Sequence, residues 1–278
     1  MVTLLLCEPV SSLAALPSAA STIEWHKRWA EAMAIARDQG KPVLLDFWAT
    51  WCEPCRQMEA RLWSRPDVVA LTSKFVCIRI DIDNSPEIAQ RYRAEALPTV
   101  VLGDPWGTEI ARREGFNGVD EHLSLFRAMP ADFSELRPWQ SRLAANRRDA
   151  EALREIGLAY HRMKLFRVSS EFLEKALATS DVRSKPETLG QVLTVIGWNS
   201  LKVKNFKAAR KSFERCLKEA PGHRALDLTM YGLIVVNLAT GERQQAEALL
   251  HRLESCCPDS ALMERARADL KPVVARSQ

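Results

Sequence analysis

The sequence predicts an α/β unit followed by an all-α unit, and three observations carry that reading. Val43–Trp48 is an apolar run broken by one aspartate. It reads as a buried strand that turns at Ala49-Thr50-Trp51 into a stretch of helix formers. Strand and helix patterns then follow one another as far as Met129. From Ala131 onward strands vanish, and one spacing of mostly small residues recurs in three copies.

Taken in order, residues 1–21 read as a leader or loosely ordered segment. Val2 to Ala20 is apolar and ends in small residues, as a cleaved signal would, but a basic start is missing and Glu8-Pro9 interrupts the run. Thr22 to Gln39 is expected to be an amphipathic helix, with Trp25, Trp29, Ala32, Met33 and Ala36 at helical spacing and Gly40 as its stop. A helix follows the strand at 43–48, with Cys52 at its start. Asp67 to Ser73 is a short helical or turn segment and Phe75 to Ile82 a strand. Glu87 to Arg93 forms a short helix. Val100–Leu102 and Glu109–Arg113 make a hairpin about Asp104-Pro-Trp-Gly107, and Val119 to Met129 closes the unit.

Cys52-Glu-Pro-Cys55 is where this unit carries chemistry. The spacing puts both sulfurs on one side of the first helical turn, within reach of a disulfide. Pro54 is tolerated because first-turn N–H groups have no partner within the helix. The helix N-terminus favours negative charge, which lowers the pKa of Cys52 and makes it the nucleophile. The chemistry implied is thiol–disulfide exchange. A half zinc site is the competing reading, but no second Cys-x-x-Cys or His-x-x-x-His supplies the other ligands.

With Asp46 six residues before Cys52, the run Asp-Phe-Trp-Ala-Thr-Trp-Cys, and Leu97-Pro98-Thr99 downstream, residues 23–129 resemble the thioredoxin family. The resemblance implies a thioredoxin fold: a central mixed sheet with helices on both faces. It also implies a cis-proline loop at Pro98 beside the cysteines, and a groove for substrate lined by Trp51, Leu97, Pro98, Thr99 and Gly115. Asp46 would be the family's buried aspartate, desolvated behind Cys55 with a raised pKa and able to take its proton. Arg79 stands where the family has a lysine, and arginine holds its proton permanently. Glu53 replaces the family's usual glycine, and its charge disfavours the Cys52 thiolate, which argues for a reductant. Trp51, Leu97 and Phe116 would form an apolar lip. No organic cofactor or metal is called for; the reversible Cys52–Cys55 disulfide carries the electrons.

The all-α unit repeats Gly157, Tyr160, Ser169, Ala176 as Gly197, Ser200, Ala209, Cys216, Pro221 and again as Ile234, Asn237, Ala246, Leu253, Pro258. This resembles the tetratricopeptide repeat (TPR), with extra residues near Asp181–Pro186. Phe133 to Asn146 reads as a linker or docking helix, within a linker spanning 131–149, and Leu262 to Ala275 as a terminal capping helix of the array over 150–278. His161, His223 and His251 read as isolated, solvated residues.

Length suggests two domains, and 47% hydrophobic with 27% charged residues is the balance of a chain that buries a sizeable core. A net charge of +4 with both signs interspersed gives no sign of a nucleic-acid binder, and no apolar run reaches the roughly 20 residues of a membrane span. Seven cysteines, scattered and odd in number, favour a reducing compartment and a cytoplasmic location; an exported, periplasmic location is the alternative if residues 1–20 act as a signal. The expected activity is a thiol–disulfide oxidoreductase working on protein disulfides and recharged by an upstream thiol reductant, its repeats recruiting a protein or peptide. Two other resemblances remain open. The architecture is similar to redox-linked holdase chaperones, and the Trp25–Pro42 pattern looks like exported thioredoxin-like domains fed by membrane reductants.

Overall fold

The computed structural model describes residues 22–271, so the expected leader and the last residues of the predicted capping helix lie outside the described residues. The chain divides between Ala131 and Asp132 into two compact units.

In the first unit, β1 (Trp25–His26) and α1 (Trp29–Gln39) lead to β2 (Val43–Trp48). Then come α2 (Glu53–Met58), running on as a π-helical turn at Glu59–Trp63, and α3 (Pro66–Thr72). They are followed by β3 (Val76–Asp81), α4 (Pro86–Arg91), β4 (Thr99–Gly103), β5 (Glu109–Glu114) and α5 (Val119–Ala128). The sheet order is β1-β3-β2-β4-β5, with β1 and β2 parallel to β3 and β4 antiparallel to both β2 and β5. This is the mixed sheet of the thioredoxin fold. Because β2 is central and covered on both faces, it reads as an almost continuous apolar run. Val43, Leu45 and Phe47 enter one core with Ala32, Met33 and Ala36 of α1. The alternation of a strand therefore turns Asp46 to the opposite face.

The helix expected over 22–39 begins only at Trp29. Trp25 and His26 pair instead with Cys77 and Ile78 as an edge strand, and Trp25 packs edge-on against Trp63 with ring centroids 5.2 Å apart. Helical spacing of the tryptophans lost to a tertiary partner, since hydrogen bonds to β3 compete directly with the first helical turn.

In the second unit a 3₁₀ turn (Ser134–Leu136) and α6 (Arg137–Ala145) precede three antiparallel helix pairs. These are α7 (Ala150–Arg162) with α8 (Phe166–Leu177), α10 (Pro186–Lys202) with α11 (Phe206–Glu219), and α12 (Leu226–Ala239) with α13 (Arg243–Cys256). One turn of helix, α9 (Ser180–Arg183), occupies the predicted insertion, and α14 (Leu262–Leu270) follows the last pair. The repeated positions on the second helix of each pair, Ser169, Ala209 and Ala246, then Ala176, Cys216 and Leu253, are all 0% exposed. A Cβ added at Gly157 would lie 2.6 Å from Leu173 Cγ, and one at Gly197 2.4 Å from the Phe213 ring, so close helix approach demands glycine there. Each pair also turns through one residue of positive φ at the same offset: Lys164 at 63°, Lys204 at 60° and Gly241 at 82°.

Two histidines depart from the solvated reading. His223 is 3% exposed, its Nδ1 donating to the Ala220 carbonyl at 2.9 Å and its Nε2 3.2 Å from the hydroxyls of both Thr194 and Thr229. His161 Nδ1 lies 2.6 Å from Asn199 Oδ1, and Asn199 in turn donates to Ser169 Oγ at 2.8 Å. His251 is exposed, as expected, beside Glu254.

Candidate active site

The site is built at the carboxyl end of β2, where the strand gives way to α2. Cys52 is the N-cap of that helix: its backbone is extended, and its sulfur accepts the Cys55 N–H at 3.2 Å. Short polar or sulfur side chains suit this position because the first N–H groups of a helix have no internal partner. Pro54 falls in the first turn, where it removes no helical bond. Cys52 and Cys55 are joined by a disulfide, with Cα atoms 5.3 Å apart.

Neither sulfur is freely exposed. Cys52 is 3% and Cys55 2% accessible, and they pack in a small cluster with Ala49 under a collar of Trp48, Ile82 and Leu97. The nucleophile expected at Cys52 is thus covered in the oxidised protein. What stands out of the surface is Trp51, 64% exposed, its indole donating to Asp83 Oδ2 at 2.9 Å.

Leu97, Pro98, Thr99 and Gly115 come together where β4 begins and β5 ends. The Leu97–Pro98 peptide is cis, and the Pro98 carbonyl accepts the Gly115 N–H at 2.7 Å. Gly115 has φ of 72°, in the left-handed region that glycine adopts without strain. Thr99 turns its hydroxyl to the Ala96 carbonyl at 2.6 Å. Leu97 joins this loop to the cysteines through the collar, whereas Phe116 packs on the buried His122 with ring centroids 5.8 Å apart.

Asp46 is 0% exposed, and neither of its carboxylate oxygens accepts a hydrogen bond. Arg79 Nε lies 3.3 Å from Oδ2, an ion pair without hydrogen-bond alignment, and the Trp63 indole N–H faces the carboxyl and pulls its pKa down a little without reaching hydrogen-bond geometry. Burial lifts the Asp46 carboxyl to about 7; Arg79 pulls it down and Glu59 pushes it up. Arg79 is no solvated edge residue. It bridges Asp46 to Glu59, 2.5 Å from its other nitrogen, and lies over the rings of Trp48 and Trp25 at 4.8 and 5.5 Å.

Glu53 does not act on Cys52 as a lone charge. Arg56 Nε donates to Glu53 at 2.9 Å, and the same guanidinium reaches the Thr50 carbonyl at 2.9 Å. Its repulsion of a Cys52 thiolate is correspondingly muted.

Residues 24–105 match the family described as thioredoxin-like. Thioredoxin-1 of Drosophila melanogaster is 35% identical over 99 residues, which cover 36% of this chain and 81% of that protein. The chain belongs to the thioredoxin-like family. A thioredoxin-like chain with a Cys-x-x-Cys pair closed as a disulfide is a thiol–disulfide oxidoreductase. The thiol:disulfide interchange protein DsbD 2 of Pseudomonas aeruginosa is 36% identical over 92 residues, 32% of this chain but only 16% of that protein. A solved thioredoxin from Thermus thermophilus is 30% identical, covering 38% of this chain and 85% of its own, with a TM-score of 0.36.

The collar residues Trp48 and Ile82 and the anchor Asp83 were not anticipated. The signal for Asp83 was the acidic turn Asp81-Ile-Asp-Asn, which reads only as a strand end without Trp51 opposite it. Among the described residues no group of His, Cys, Asp and Glu is arranged to hold a metal, and no helix is long and apolar enough to cross a membrane.

Proposed function

We propose that the protein reduces disulfides in other proteins, and that its helical unit, a TPR-like array, recruits them. The observation that carries the redox reading is the Cys52 sulfur held at a helix N-terminus by the Cys55 N–H, with the Pro98 loop beside it. In the reduced form the Cys52 thiolate attacks a substrate disulfide approaching between Trp51 and Leu97–Thr99. Cys55 loses its proton, attacks the Cys52 sulfur and releases the second substrate thiol. Asp46 is the base that receives that proton, its carboxyl being poised near neutrality. An upstream thiol then recharges the pair. The direction follows from a modestly stabilised thiolate. One backbone N–H faces it, and the nearby cation Arg56 is already held by Glu53, so the dithiol gives up electrons readily.

Recruitment is supported by the helical pairs, whose buried small residues stack into an array with outward surfaces left for a partner. The cytoplasmic location suggested by scattered free thiols belongs to this reading. The test compares the full chain with residues 1–131 on two substrates. A small disulfide should be reduced at nearly equal rates, while a folded client protein should be reduced on the order of tenfold more slowly by the shorter protein, since tethering raises effective concentration. Equal rates on both substrates would remove the recruiting role. Loss of aggregation suppression in the truncated protein, together with full suppression by Cys52→Ser, would favour a holdase instead.

A further inference from the structure

The second unit holds two adjacent cysteines to which the disulfide exchange above assigns nothing. Cys256 is the last residue of α13 and is exposed; Cys257 caps that helix and is half-buried against its apolar core. Their sulfurs lie 2.8 Å apart, well inside ordinary non-bonded separation. Cys256 Sγ also lies 3.7 and 3.8 Å from the Leu253 carbonyl and the Met230 sulfur. We propose that Cys256 and Cys257 form a second dithiol centre, which a low-molecular-weight disulfide oxidises to a disulfide between the two neighbours.

The geometry assigns the order of events. Cys256, exposed at a helix end, is open to a small disulfide. Burial, and then the hydrogen bond with Cys256, push the Cys257 thiol up, and Cys256 is the more exposed of the two, so Cys256 reacts first. The Cys256 thiolate attacks one sulfur of R–S–S–R, the S–S bond breaks, and RS⁻ leaves and takes up a proton. Cys257 then gives its proton to solvent as its sulfur attacks Cys256 Sγ, and the second RS⁻ leaves. Two thiols are oxidised and one disulfide is reduced to two RSH. Neighbouring Cα atoms are held about 3.8 Å apart, short of the usual span of a disulfide, so the closed ring is strained. Strain makes it easily reduced again, which suits a reversible switch rather than a permanent staple. The pair belongs to a different unit from Cys52 and Cys55, and its chemistry does not depend on theirs.

The test treats the reduced full-length protein with glutathione disulfide, quenches it by alkylation and weighs the tryptic peptide Leu253–Arg265. The expected product is lighter by two hydrogens, resists alkylation and carries no glutathione. Cys257→Ser should instead keep one glutathione on Cys256, and Cys256→Ser should slow loss of the Cys257 thiol at least about tenfold. Helix content from circular dichroism checks both variants, but the wild-type peptide alone decides. Two thiols still free when Cys52 and Cys55 are oxidised, or a lasting glutathione adduct on the wild-type peptide, would overturn the proposal.

Discussion

Each unit of this protein buries a titratable side chain among others, and the two are treated in opposite ways. His223 sits beside Gly190, whose added Cβ would lie 2.3 Å from the ring, and both its nitrogens have partners in Ala220, Thr194 and Thr229. Asp46 is as deeply buried, yet its oxygens accept no hydrogen bond and its one close cation is misaligned. A satisfied polar cluster rigidifies a core and specifies its packing. An unsatisfied carboxyl is costly to stability, and on the strand that leads into the redox pair it persists where the raised pKa is of use.

The largest effect that would sharpen this contrast is at the cysteines. Cys52→Ser should lower insulin disulfide reduction by more than about a thousandfold, and Cys55→Ser should accumulate mixed disulfides on non-reducing gels, because the resolving thiol is gone. Activity surviving in Cys52→Ser would place the chemistry elsewhere.

His223→Ala should destabilise the helical unit by about 3 kcal/mol, since it opens a cavity and strips two threonine hydroxyls of a partner. Urea unfolding followed by circular dichroism measures this, and reduction of a small disulfide should not change. A drop in that activity would break the separation between a structural and a catalytic buried group.

Asp46→Asn tests the other side. A base with a carboxyl near 7 is ionised only above that pH, so the deficit should widen from pH 6 to 8, reaching roughly ten- to a hundredfold. Stability should move oppositely. The folded pKa lies above the unfolded one, so the folded state binds more protons between about pH 4 and 7, and wild-type stability falls as pH rises through that window. The asparagine variant should lack this fall and gain up to about 4 kcal/mol at pH 8. A variant whose pH–stability curve follows the wild type would remove Asp46 as an unsatisfied charge.

The smallest effect is expected from Arg79→Gln. Arg79 holds the Asp46 carboxyl down, so its loss should move the pH–rate midpoint upward and cut the rate at pH 7 by about twofold to fivefold. Arg79→Lys should restore most of it. An unshifted midpoint in the glutamine variant would show that the guanidinium only packs on Trp25 and Trp48.

Only one side of this contrast was legible in the chain: Asp46 reads as buried in an apolar strand, whereas His223 reads as solvated. The Cys-x-x-Cys at a strand-to-helix turn, the aspartate in an apolar strand and the Leu-Pro-Thr run are local patterns, and each is recognisable without its neighbours. The repeat offsets were equally readable, because positions that must be small recur whenever helix pairs stack in register. Missed were Lys164 and Lys204, whose positive φ no lysine signals, and the strand at Trp25–His26, whose partner lies about fifty residues away.

By itself, then, the sequence determined the two classes of unit, the Cys52–Cys55 pair at the strand-to-helix turn and the spacing of the helical pairs, since all of these depend on short-range periodicity and on the chemistry of single side chains. Tertiary structure decided which polar groups found partners. Arg79 became a bridge between Asp46 and Glu59, Glu53 was claimed by Arg56, Cys52 was roofed by Trp48, Ile82 and Leu97, and His223 was enclosed by hydroxyls. Burial and pairing are properties of what surrounds a residue in space, and a charge changes its meaning once water is replaced by a neighbour.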